Sequence, residues 1–247
     1  MRGTETSIIT DETKRNPFRT ESTMWDGDTY RQSVVQYLKN NKVDISGKAC
    51  YQFGIFTGTT FIFIYEMFRK YGLDVGRILA LDSFDGLPDE TPGIEKNPIW
   101  QRREFSSKYI FNNENTAQII DQIMSKLPDQ DIPVEWHEGF YSDVLTDEWV
   151  EKLKPLPAFW VDLDVDLYKS TIDVLDFMVP KKLIIPGTVI SYDDWGGTEE
   201  FKGGESLAHK EMAEKYLLEL ECIHTQYNPP HVQKAFVVKS IGEKCAY

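Results

Sequence analysis

From Lys48 onward, short apolar runs that each end in Gly or Asp alternate with amphipathic stretches of helical length. That rhythm constrains the chain more than any other feature, because it is the pattern of βαβ units built into a parallel sheet. It predicts strands over about 49–54, 77–82, 132–137, 158–164 and 184–193, and helices near 59–71, 115–127, 143–153, 168–179 and 204–219. Two further apolar pieces, Leu220 to Gln226 and Lys234 to Lys239, flank Tyr227-Asn228-Pro229-Pro230-His231 and read as a closing antiparallel pair. The densest apolar stretch, Phe61-Ile62-Phe63-Ile64-Tyr65, is far too short to span a bilayer and reads as the buried face of a helix.

Ahead of this unit, residues 1–22 are polar and mixed in charge, without the apolar core of a secretory signal, and read as a flexible tail. Residues 23–47 read as a helical segment in which Asp26 or Asp28 caps a helix carrying Val34, Val35, Tyr37 and Leu38. Residues 48–247 then form the main domain. The one long irregular stretch, Ser83 to about Asn113, holds Pro88, Pro92, Gly93, Pro98 and Trp100 and is expected to be a mobile cover over a binding crevice. Charge excludes some partners: 27 Lys+Arg against 40 Asp+Glu leave a net −13, and basic runs are no longer than Lys181-Lys182 or Arg102-Arg103. Such a chain repels phosphate backbones and anionic lipid, so neither nucleic acid nor a membrane is expected as partner. Cys50, Cys222 and Cys245 have no paired metal-type spacing, which fits a reducing cytoplasm.

In an open doubly wound sheet, ligands bind beyond the carboxyl ends of the strands where strand order reverses. After the first strand comes Gly54-Ile55-Phe56-Thr57-Gly58-Thr59-Thr60, a Gly-x-x-x-Gly turn into a helix. It is either a plain tight turn or a place where a ligand nears the backbone and an anionic group meets free N–H groups. The second strand ends in Asp82-Ser83, where Asp82 either accepts both hydroxyls of a ribose or caps the following turn. Further on, Asp162, Asp164 and Asp166 lie at one strand end and Asp193-Asp194 at another, all on one rim. Carboxylates so gathered repel: some stay protonated or a cation neutralises them, and an all-oxygen set favours a hard ion such as Mg²⁺, Ca²⁺ or Mn²⁺. For any one aspartate, capping a helix or turn is the simpler role.

Taken together, Thr23-Met24, Gly54 to Thr60, Asp82-Ser83-Phe84-Asp85-Gly86-Leu87-Pro88, Trp136 to Leu145, Asp164 to Thr171 and Asp193-Asp194-Trp195 resemble the macrocin O-methyltransferase (TylF/MycF) family of class I S-adenosylmethionine-dependent enzymes. The resemblance implies an α/β fold, a Rossmann-like seven-stranded mostly parallel sheet with helices on both faces and an antiparallel last strand. It implies S-adenosylmethionine across Met24, Gly54, Phe56, Thr57, Gly58, Thr59, Asp82, Ser83, Glu138, Gly139, Phe140 and Asp164. It also implies Mg²⁺ on Asp164, Asp193 and Asp194, with the order within the motif favouring Asp164 over Asp166. The activity implied is methylation of a hydroxyl of a sugar, a polysaccharide substituent or another small polar molecule; a homo-oligomer stays open. On chemical grounds Asp164 can take the hydroxyl proton as general base; His137 is the rival base, although it reads first as a residue of the third strand or its turn with a structural partner. The sequence departs from the family pattern at Gln52, where an acid usually precedes the first glycine by two. An NAD-dependent oxidoreductase on a similar sheet and an inactive cofactor-binding protein remain the alternatives, the first weakened by the lack of Gly-x-Gly-x-x-Gly.

Overall fold

The computed structural model describes residues 28–196, 203–228 and 231–242, so the 1–22 tail, Met24 and Asp26 lie outside the described residues. Helix α1 (Thr29–Asn40) starts at Asp28, whose carboxylate accepts the Arg31 N–H, and turns Tyr30, Arg31, Val34, Val35 and Leu38 inward. It is followed by β1 (Ala49–Phe53), α2 (Thr59–Tyr71), β2 (Ile78–Asp82), α3 (Ser107–Phe111), α4 (Thr116–Met124) and β3 (Val134–Glu138). Then come α5 (Tyr141–Val144), α6 (Asp147–Leu153), β4 (Ala158–Leu163), α7 (Tyr168–Met178), β5 (Val189–Tyr192), α8 (Gly204–Tyr216), β6 (Leu218–Asn228) and β7 (His231–Ile241).

Among the described residues, seven strands form one sheet in the order β3-β2-β1-β4-β5-β7-β6. Only β7 runs against its neighbours, pairing antiparallel with both β5 and β6. This is the expected Rossmann-like sheet. Every residue of β1, β2, β4 and β5 is buried, as strands covered by helices on both faces must be. One face packs Val34, Phe61, Tyr65, Phe68 and Ile119 from α1, α2 and α4; the other packs Val174, Met178 and Met212 from α7 and α8. Burying each large apolar side chain contributes about 1.5–3 kcal/mol against exposure. No described helix is long and apolar enough to cross a membrane.

Two expected elements differ most. The strand expected over 184–193 begins only at Val189, because Pro186 lacks an N–H and Gly187 takes φ +92° in a turn closed by Thr188 N–H to Ile185 O. The helix expected over 143–153 is two helices, broken where the Thr146 hydroxyl accepts the Trp149 N–H and starts α6.

Candidate active site

Strand order reverses between β1 and β4, and there β1 and β2 lie on one side of the switch and β4 and β5 on the other. A cavity of about 530 Å³ opens at the carboxyl ends of these strands. Its lining brings together Gly54, Phe56, Thr57 and Thr59 of the glycine turn and Asp82 and Ser83 of β2. Gly139 and Phe140 after β3, Asp164 after β4, and Asp193 and Asp194 after β5 line it as well. Gly58, His137 and Glu138 do not line it.

The glycines have steric reasons of their own. At Gly54 (φ +86°) a Cβ would stand 1.9 Å from the carbonyl oxygen of Asp164, so its absence lets β1 and β4 close at their ends. At Gly58 (φ +80°) a Cβ would stand 2.5 Å from Ile123, which makes this glycine a packing position between α2 and α4. Between them, Phe56 adopts φ +48°. A non-glycine residue in that region costs about 1–3 kcal/mol and is kept only where surrounding contacts enforce it.

Asp82 supplies that enforcement. One carboxylate oxygen accepts the N–H groups of Ile55 (2.6 Å) and Phe56 (2.9 Å), and the other accepts that of Phe84 (2.6 Å). Asp82 thus caps the turn after β2, and it also lines the cavity. Burial pushes its carboxyl above the usual range, and the three N–H groups oppose that shift.

His137 sits in β3 with its Nδ1 accepting from the Trp149 indole at 3.4 Å. Burial holds its pKa below the usual imidazole value, with Glu135 opposing. His137 thus packs under α6 and does not line the cavity. Glu138 instead accepts from the Thr116 hydroxyl at 2.6 Å and from Lys108 at 3.1 Å, bracing β3 against α3 and α4.

The acidic rim contains a cation of the protein's own. Arg31 of α1, 3% exposed, donates from Nε to Asp162 (2.9 Å), from Nη2 to Asp164 (3.0 Å) and from Nη1 to Asp193 (2.8 Å) and Asp28 (3.1 Å). Burial alone would lower its pKa; the carboxylates of Asp162, Asp193, Asp28 and Asp164 outweigh that and raise it. Asp162 points away from the cavity toward Arg31 and the Ser191 hydroxyl (2.6 Å). One guanidinium does not balance the set. Burial, then Asp193, hold the Asp164 carboxyl well above its usual range, against the pull of Arg31. Burial, then Asp194, do the same at Asp166, which hydrogen-bonds Asp194 and takes φ +60°. Asp164, Asp193 and Asp194 each offer one oxygen, all within 4.8 Å of one another. Hard oxygen donors at that spacing, still short of positive charge, fit a divalent cation.

The stretch expected as a mobile cover is docked. Leu87 and Trp100 bury themselves against Leu167. Glu90 accepts the N–H groups of Tyr168 and Lys169, both at 2.9 Å, and so caps α7, which has no side-chain cap of its own. Glu95 forms a parallel bridge to Gly203. Leu87, Pro88, Ile99, Trp100 and Phe105 thereby wall the cavity beside the glycine turn.

Arg31 was not singled out by sequence reasoning, although a signal exists: it sits three and four residues before Val34 and Val35, on the apolar stripe of α1. A charge on a buried helical face needs partners, and the four aspartates are those partners.

Comparison with known proteins adds the following. The family model described as macrocin-O-methyltransferase (TylF) matches residues 28–209. A curated 8-demethyl-8-(2,3-dimethoxy-alpha-L-rhamnosyl)-tetracenomycin-C 4'-O-methyltransferase from Streptomyces olivaceus is 26% identical over 148 residues, covering 58% of this chain and 51% of the relative. The chain thus spans about half the length of that relative. A crystal structure of a calicheamicin methyltransferase superposes with a TM-score of 0.60 at 17% identity, over 94% of this chain and 87% of the other. The structure of the O-methyltransferase NovP gives 0.57 at 19% identity, over 85% and 78%. At these identities the two structures establish a shared fold.

Proposed function

The chain belongs to the macrocin O-methyltransferase family, and from that premise we propose that it transfers a methyl group from S-adenosylmethionine to a hydroxyl oxygen of a sugar or another small polar acceptor, assisted by Mg²⁺. The observation that carries this reading is the meeting, in one cavity, of the Asp82-organised glycine turn with the Asp164, Asp193 and Asp194 carboxylates. The sugar part of the reading is supported by the tetracenomycin relative, whose name specifies a rhamnosyl 4' oxygen.

A hydroxyl is a poor nucleophile until its proton is taken, and methyl transfer needs oxygen, carbon and sulfur held nearly in line. S-adenosylmethionine supplies the electrophilic methyl, and a divalent cation held by Asp164, Asp193 and Asp194 would supply Lewis acidity that lowers the pKa of a hydroxyl. The chain's own residues do the remaining work. Asp82 accepts from the ribose hydroxyls while holding the turn, Gly139 and Phe140 flank the cofactor, and Asp164 takes the proton. Leu87, Pro88 and Trp100 wall off water beside it.

Titration calorimetry separates this reading from its rivals. S-adenosylhomocysteine is expected to bind in the micromolar range or tighter and NAD not at all; binding of NAD in preference would replace the reading with hydride transfer. Asp82→Ala should weaken S-adenosylhomocysteine by about tenfold or more, since a charged hydrogen bond contributes roughly 1.5–3 kcal/mol and two N–H groups of the glycine turn, with that of Phe84, lose their acceptor. Unchanged affinity would remove the ribose from Asp82.

A further inference from the structure

Glu205 lies in the first turn of α8 and is fully buried, yet it does not line the cavity at the strand ends and meets no cationic side chain among the described contacts. Its two carboxylate oxygens divide between two strand ends. One accepts the Val165 N–H at 3.2 Å, immediately after Asp164; the other accepts the Asp194 N–H at 2.9 Å, immediately after Asp193. Arg31 joins the same two loops from the α1 side by holding the side chains of Asp164 and Asp193. The rim is therefore braced from both faces of the sheet, by side chain from one and by backbone from the other.

A buried carboxylate is costly, and placing one where a packed apolar residue would serve the core as well requires a return in geometry. That return is the fixed separation of the Asp164 and Asp193-Asp194 loops, which come from different strands whose pairing ends at Leu163 and Tyr192, and to which the Asp193 N–H adds one bond to the Leu163 carbonyl at 2.9 Å and Asp166 one to Asp194. Resting on the metal-assisted reading above, we infer that Glu205 is the positioning residue that sets the distance between these two loops and thereby tunes cation affinity without touching the cation or the cofactor. Groups that orient metal ligands in this way commonly change affinity by about 10- to 100-fold when replaced.

Glu205→Gln is nearly isosteric but turns an amide N–H₂ toward one of the two backbone N–H groups, donor against donor. Glu205→Asp keeps the carboxyl group and is too short to reach both loops. Full-length wild type and both variants are titrated with Mn²⁺, read by the loss of free-ion paramagnetic signal, and separately with S-adenosylhomocysteine by calorimetry. The expected result is Mn²⁺ affinity weakened at least about tenfold in both variants, with S-adenosylhomocysteine affinity within about threefold of wild type, a split that general loosening of the fold does not produce. Mn²⁺ affinity equal to wild type, or parallel loss of both ligands, overturns the role of Glu205. A wild-type protein that binds no Mn²⁺ overturns the metal reading itself, and the inference with it.

Discussion

Replacing Asp164 by Asn is expected to lower turnover by about 10²–10⁴-fold, the usual contribution of a positioned base, and further to the extent that cation binding is lost, while S-adenosylhomocysteine still binds. The reason is local. Asp164 offers the cluster an oxygen and a proton acceptor, and Asn keeps the shape but not the charge. The glycine turn is held by Asp82, not by Asp164, so the cofactor side stays organised. Arg31 retains Asp28, Asp162 and Asp193, so the fold stays closed. Methyl transfer from labelled S-adenosylmethionine to an acceptor found by screening sugars and glycosides measures the effect. Turnover within a few-fold of wild type would remove Asp164 from the chemistry.

Arg31→Met should be the most destabilising substitution at the rim, by about 3–5 kcal/mol, the cost of leaving a buried ion-pair partner alone. Against the roughly 5–15 kcal/mol that holds a domain folded, that is a large fraction. Met preserves much of the volume, so the loss is electrostatic: Asp162, wholly buried in β4, would keep only the Ser191 hydroxyl. The pH dependence has a fixed sign. Burial holds the Asp162 carboxyl above its usual range even beside Arg31. In the variant, therefore, the folded state binds a proton that the unfolded chain releases near pH of about 4. The penalty is smallest near that pH and grows as pH rises toward the folded value. Urea denaturation at several pH values checks both parts. A loss under about 1 kcal/mol, the size of a surface pair, or a penalty that shrinks with rising pH, would contradict this account of Arg31.

The sheet was legible because parallel strands buried on both faces are continuous apolar runs, and the residues after them carried Gly54, Asp82, Asp164 and Asp193-Asp194 in an order that fixes one rim. Strand and helix ends were less legible where a single side chain or turn decided them, as Pro186-Gly187 delays β5 and Thr146 splits α5 from α6. His137 stood open between a base and a structural partner for a different reason. Periodicity puts it near a strand end but does not say which face it takes, and its register opposite Leu81 turns it under α6 against Trp149. The two braces of the rim, Arg31 and Glu205, went unread because each is a lone charge in a helix, a pattern that is usually a solvated face. Both stand on the apolar stripe of their helices, Arg31 with Val34 and Val35, Glu205 with Ala208 and Met212. A charge in phase with buried residues is the signal that pairs it with chemistry elsewhere in the chain.

The central claim is that the acidic rim at the ends of β4 and β5 is where a cation and the methyl donor meet. A crystal structure of the full chain grown with S-adenosylhomocysteine and Mn²⁺, with anomalous difference density collected for manganese, tests it most directly. The account predicts one strong peak ligated by Asp164, Asp193 and Asp194, with the cofactor's ribose on Asp82 and its sulfur turned toward that peak. Clear cofactor density with no manganese peak at these three carboxylates, or a ribose bound away from Asp82, would contradict it.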